Sequence, residues 1–159
     1  MFDFDINFRP IHLATQNTVP GTGGTQLFAK LDKPDVVHYY CEKKTDDYFN
    51  LWLNLELIVP FALSCFLDNI RLVYNPNNRT TTNSPGVDIA VNDFGNTTSI
   101  EYVDPSRIAY TGYFNKMVDA LLKLGYRRGF DLRGAPYDFR KGPSKFDQFF
   151  SFLLLCWFD

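Results

Sequence analysis

The run Leu51-Trp52-Leu53-Asn54-Leu55-Glu56-Leu57-Ile58-Val59-Pro60 constrains this chain more than any other stretch. Its apolar residues neither alternate as in a half-buried strand nor keep to one face of a helix. Pro60 halts any helix that would continue through it, because proline lacks the N–H and clashes with the preceding turn. Removing each large side chain from water is worth roughly 1.5–3 kcal/mol. Such a run must therefore be core, a partner surface or a lipid-facing patch. It lies between Cys41 and Cys65. Those two residues leave two readings open, a pair of buried free thiols or a bridge. A bridge would close a loop worth roughly 3–4 kcal/mol on the chain-entropy account.

The remainder bounds the fold class. A chain of 159 residues that is 45% hydrophobic can bury a real core and suits one domain. A net charge of −2 argues against a dedicated nucleic-acid binder. No apolar run reaches the roughly 18–20 residues that a membrane-spanning helix needs. Met1-Phe2-Asp3-Phe4-Asp5 is acidic, and no apolar signal-peptide core comes after it. Taken alone, that start places synthesis in the cytosol.

Local patterns suggest short elements. Ile11-His12-Leu13 could begin a strand, but polar Thr15 to Thr18 breaks its alternation. Gln26 to Lys33 reads as a short strand or turn. Ile70 to Tyr74 alternates until Asn75-Pro76-Asn77-Asn78 stops it. Val87, Ile89 and Val91 alternate, and Ile100 to Val103 is a further strand candidate closed by Asp104-Pro105. Tyr113 to Leu124 predicts an amphipathic helix, with Phe114, Met117, Val118, Leu121 and Leu122 on one face and Gly125 as its cap. Ser144 and Asp147 suit a helix start. Phe149 to Phe158 is apolar except for Ser151.

Several candidate sites fail on their own chemistry. Gly142-Pro143-Ser144-Lys145-Phe146 carries Phe146 where a nucleophile elbow needs its second glycine. Pro20-Gly21-Thr22-Gly23-Gly24-Thr25 lacks both the third glycine of a dinucleotide loop and the lysine of a P-loop. It suits a backbone anion site such as an oxyanion hole better. His12 and His38 have no metal-ligand partner at standard spacing and read as structural or surface residues. No metal or other cofactor is implied. Asn78-Arg79-Thr80 and Asn96-Thr97-Thr98 are glycosylation sequons.

Taken in order, six segments carry a resemblance: Val19 to Leu27, Ala29 to Pro34, Val36 to Cys41, Leu51 to Leu57, Asp68 to Tyr74, and Arg133-Gly134-Ala135-Pro136-Tyr137-Asp138-Phe139-Arg140. Together they resemble the lecithin:cholesterol acyltransferase family, on its lysosomal phospholipase A branch, over about residues 19–148. The resemblance implies an α/β fold, an incomplete α/β-hydrolase core bearing a disulfide-stapled, apolar membrane-docking or lid segment. It divides the chain into residues 1–36 with the oxyanion loop, 37–74 as docking segment, 75–148 as the start of the hydrolase core, and 149–159 as an apolar tail of non-family character.

The implied function is acyl transfer from a phospholipid to an alcohol or to water. In the family the residue after Pro-Gly supplies an oxyanion-hole N–H. That residue is Thr22 here, where the mammalian lysosomal enzymes carry aspartate; a backbone donor survives the change. The family's paired cysteines match Cys41 and Cys65. Between them, Trp52, Leu53, Leu55, Leu57 and Ile58 become candidates for lipid contact. The partners implied are a phospholipid surface, a lipid acyl donor and an alcohol acceptor, in a lysosomal or extracellular setting, with Asn78 and Asn96 as glycan sites. The Arg133 to Arg140 segment reads as structural. The family's serine, acid and histidine lie downstream of that segment, so the chain is expected to be an N-terminal fragment, inactive alone. The alternative is a lipid-surface binding module, or an unstable truncated product whose open sheet edge invites aggregation.

Overall fold

The computed structural model describes residues 14–141. The expected elements at Ile11-His12-Leu13 and Ser144, the elbow-like segment and the apolar tail lie outside these residues. The element order is β1 (Gln16–Thr18), β2 (Leu27–Leu31), β3 (Phe49–Trp52), α1 (Leu63–Ile70), β4 (Leu72–Asn75), β5 (Thr80–Asn83), β6 (Val87–Ala90), α2 (Thr98–Glu101), α3 (Asn115–Lys123) and β7 (Leu132–Gly134), with 3-10 turns at Leu55–Leu57 and Ala109–Thr111.

Among the described residues three sheets result. β2 lies between β3 and β6, both antiparallel to it; β4 and β5 form a hairpin; β1 and β7 pair in parallel. β2 alternates as a strand with one face on a core should, with Leu27, Ala29 and Leu31 buried and Lys30 exposed. Ala29, Leu51 and Phe66 form a packed cluster, against which Phe49, Trp52, Leu57, Ile70 and Ile89 lie. The cluster therefore joins α1 to the face of the central sheet.

The apolar run that neither period described is three structures in succession. It ends β3 at Trp52, makes a 3-10 turn over Leu55–Leu57, and after Pro60 enters α1. Asn54 caps the turn, its side chain accepting from the Glu56 N–H at 3.0 Å. Pro60 thus separates two helical pieces, and the chain re-enters helix just beyond it.

Two expectations are corrected. Gln16–Thr18 is a strand although it is polar and largely exposed. Its pairing is with backbone: the Gln16 N–H donates to Asp131 O at 2.8 Å, and Ala135 N–H donates to Thr18 O at 2.9 Å. Side-chain alternation reports burial of a face, which this edge does not need. Ile100 to Val103 is not a strand, because residues Thr98–Glu101 turn as one helical segment, α2. The Asp93 carboxylate accepts from the Ser99 N–H at 3.1 Å, satisfying an orphan donor of that first turn, and Ile100 is fully buried.

The expected helix at Tyr113 to Leu124 is α3, closed by Gly125 at φ 98°. The strands expected at Gln26 to Lys33 and around Val87 are β2 and β6; that expected from Ile70 to Tyr74 begins only at Leu72, as β4, because Ile70 closes α1. Gly86, at φ 71°, lets the chain pass the backbone of Asp32, whose N–H donates to Gly86 O at 2.8 Å. A Cβ there would lie 2.3 Å from Asp32 O.

Candidate functional site

β1 and β7 run in parallel, so their carboxyl ends lie side by side. From those ends β1 leads into Pro20 to Thr25, and β7 into Ala135 to Arg140. Ligand sites of parallel α/β sheets lie outside the carboxyl ends of their strands. The two segments touch, since the Tyr137 N–H donates to Thr25 Oγ1 at 3.3 Å.

Pro20 to Thr25 forms a tight turn closed by Gly24 N–H to Gly21 O at 3.0 Å, with Gly23 at φ 82°. The positive φ at the third position suits a type II turn, where glycine carries no steric cost. Thr22 occupies the second position and is exposed. Among the described residues no acceptor takes its N–H. Two aromatic side chains bracket the turn. Trp52 Nε1 donates to Gly23 O at 2.9 Å, and Gly21 N–H donates to the Tyr113 hydroxyl at 3.1 Å.

Cys41 and Cys65 are joined in a disulfide across 24 positions. The candidate lipid residues within that span divide. Leu55 and Ile58 are exposed, whereas Leu53 and Leu57 are half-buried. Trp52 is also half-buried, its ring 6.4 Å from that of Phe66 and 5.7 Å from that of Phe139, and its indole N–H is committed to the turn. Sequence reasoning missed the larger exposed apolar groups: Val59, Leu63, Leu67 and, at 69% exposure, Phe61. Phe61 stacks on Tyr40 at 4.4 Å, and Tyr40 on His38 at 5.0 Å. The apolar run continuing past Pro60 to Phe61 was the available signal.

Buried ion pairs fix the surroundings. Lys33 Nζ donates to the Asp68 carboxylate, and to Asn69 Oδ1 at 2.9 Å, tying the end of β2 to α1. Arg71 Nε adds a bond to Asp68 at 2.9 Å. Burial pushes the Asp68 carboxyl up, but Lys33 and Arg71 carry it below its ordinary value. Arg140 makes a fuller staple, with bonds to Asp138 Oδ1 and Oδ2 at 2.8 and 2.7 Å, Ile70 O at 3.0 Å and Asn83 Oδ1 at 2.8 Å. Burial again raises Asp138, and the Arg140 guanidinium more than reverses it. Behind Tyr113, Glu101 receives Arg128 at 2.7 and 2.8 Å and the Thr97 hydroxyl at 2.6 Å; these bonds hold its carboxyl below the usual range despite burial.

Asn78 is exposed, and its side-chain oxygen accepts from the Thr80 N–H and hydroxyl at 3.1 and 2.6 Å. Asn96 is half-buried, its amide nitrogen 3.4 Å from Thr98 Oγ1. His38 is exposed, and no cluster of three metal-ligating side chains occurs among the described residues. No described helix is long and apolar enough to cross a membrane.

A family model described as lecithin:cholesterol acyltransferase matches residues 48–156. The chain belongs to the lecithin:cholesterol acyltransferase family. Its α/β-hydrolase-like character accords with the mixed sheets and helices of residues 14–141. Over 132 residues, 83% of this chain, it is 54% identical to the human lysosomal phospholipase A and acyltransferase. Over the same length it is 50% identical to the chicken phosphatidylcholine-sterol acyltransferase and 46% to the human one. The matches cover 32%, 32% and 30% of those proteins, so the chain spans about a third of the length of the curated relatives it matches.

Proposed function

We propose that this chain is the portion of a lipid O-acyltransferase and phospholipase A that carries an oxyanion donor and a lipid-docking flap. The observation that carries the reading is the Trp52 to Gly23 hydrogen bond at 2.9 Å, which joins the cystine-closed apolar segment directly to the Thr22 turn. A phospholipid held at the flap would then present its ester next to the turn.

That juxtaposition sets the chemistry. Attack of a hydroxyl on an acyl ester drives charge onto the carbonyl oxygen. A preorganised backbone N–H such as that of Thr22 stabilises this oxyanion, and one such donor is worth about 10²–10³ in rate. Among the described residues no serine hydroxyl is hydrogen-bonded to a histidine. On this reading the nucleophile and its base lie outside the described residues, and residues 1–159 alone release no fatty acid.

Residues 37–74 act as the flap. Leu55, Ile58, Val59 and Phe61 enter the acyl boundary, and Tyr39 and Tyr40 sit at the headgroup level that suits amphipathic rings. Trp52 serves as the hinge between flap and turn. The setting is lysosomal or extracellular, with glycans on Asn78 and Asn96.

The test uses phosphatidylcholine vesicles with the 159-residue chain and with the full-length protein. The chain should co-sediment without releasing fatty acid, and the full-length protein should do both. Fatty-acid release by the chain would overturn the division of labour. Failure of either protein to pellet with vesicles would overturn the docking role.

A further inference from the structure

The Thr22 turn is useful for oxyanion stabilisation only if its N–H is held in one direction, and its own contacts are few. Gly21, Thr22 and Gly23 are exposed or half-buried, and three glycines give the backbone wide freedom. Trp52 anchors one side through the Gly23 carbonyl. The other side rests on Tyr113, 92 positions away in sequence.

Tyr113 meets the turn in two ways. Its hydroxyl accepts the Gly21 N–H at 3.1 Å. Its ring edge lies so close to Gly24 that a Cβ there would stand 2.7 Å from Cε1 and 2.9 Å from Cζ. Gly24 is buried, so its lack of a side chain is what admits the ring.

Tyr113 is itself held from behind. Its N–H donates to Glu101 O at 2.9 Å, and its ring packs edge-on to Phe114 at 4.5 Å. Glu101 in turn is fixed by the two bonds from Arg128 and one from Thr97. A chain of hydrogen bonds thus runs from Arg128 through Glu101 of α2 to Tyr113 and the turn.

We propose that Tyr113 is a positioning residue for acyl transfer. Its hydroxyl and ring fix the Pro20 to Thr25 turn so that the Thr22 N–H is preorganised for the oxyanion. The inference rests on the oxyanion reading of Thr22 and adds the residue that sets its geometry.

Tyr113→Phe in the full-length protein removes the hydroxyl and keeps the ring. Two readouts separate the parts of the claim. Hydrogen exchange of the peptide spanning residues 20–26 should accelerate several-fold, and kcat for phospholipid acyl transfer should fall about tenfold with KM unchanged. That loss is smaller than the 10²–10³ seen when a donor is removed outright, because the donor remains and only its aim is degraded. Unchanged exchange over residues 20–26 would overturn the role of Tyr113 and leave the Thr22 reading standing. Faster exchange with unchanged kcat would overturn the Thr22 reading itself. A change in KM alone would assign Tyr113 to substrate binding and overturn the positioning role. Tyr113→Leu, which also removes the ring edge against Gly24, should lower kcat further; recovery of activity in Leu relative to Phe would count against the packing half of the inference.

Discussion

Replacing Phe61 with serine tests the most exposed of the side chains assigned to the acyl boundary. Phe61 is 69% exposed. An aromatic side chain offers about 200 Å², so roughly 140 Å² of it faces solvent. At about 25 cal/mol per Å² the whole of that area entering an acyl phase would contribute about 3.5 kcal/mol. One face is already stacked on Tyr40, and an interfacial group sinks only partly, so about half is the working figure. Some 1.7 kcal/mol corresponds to about a 20-fold loss in vesicle partitioning. The assay is co-sedimentation with sucrose-loaded phosphatidylcholine vesicles at several lipid concentrations, fitted to a partition constant. Thermal stability should change little, because the substitution removes one exposed stacking contact worth about 0.5–1.5 kcal/mol. A partition constant within twofold of the parent, with the fold intact, would refute the assignment of Phe61 to the lipid surface.

Three further substitutions probe the frame. Cys41→Ser with Cys65→Ser should cost about 3.5 kcal/mol, the chain-entropy value for a loop of this size, read as a lowered denaturant midpoint; an unchanged midpoint would remove the bridge from the account. Arg140→Ala leaves the Asp138 carboxylate with only the Lys141 ammonium, 3.6 Å away, and should destabilise by about 3 kcal/mol, with Arg140→Lys recovering only part because one ammonium replaces a planar fork. Equal stability of the alanine variant would sink the staple. Glu101 is held below its ordinary value of 4.5. Its contribution is therefore complete above that value and is lost as pH falls through the lower folded value. Melting temperature should hold level down to about pH 5 and decline below it. Glu101→Gln should lower the plateau and flatten the acid limb, and an acid limb identical to the parent's would refute the assignment.

What the sequence made legible depended on whether an element's partners are local. β2, β6 and α3 declare themselves because one face of each meets the core, so burial imposes a period on the residues. β1 is hidden because its bonds go to backbone more than a hundred positions away and ask nothing of its side chains. α2 misleads because the alternation of Ile100, Glu101, Tyr102 and Val103 is that of a strand, while the decisive groups are polar. Asp93 accepts from the Ser99 N–H in its first turn and the Thr97 hydroxyl donates to Glu101. Such side-chain competition with the ladder is invisible to a hydrophobic period.

The same distinction separates the parts of the candidate site. Pro20 to Thr25 announces itself through glycines, because a tight turn with positive φ has few other solutions. Its brackets do not, since Trp52 reads as a lipid anchor and Tyr113 as the first residue of a helix until the fold brings each to the turn. Both carry a polar handle on a large ring, which lets one side chain serve core and turn together. The cystine-closed segment and the turn are consequently joined by a side-chain bond. The cystine-closed segment bonds to Gly23 through the Trp52 indole, and Tyr113 bonds to Gly21 on the other side of the turn. On the proposed function, a lipid surface that draws on the flap would act on the direction of the Thr22 N–H, and the two aromatic side chains would decide how much of that pull reaches it.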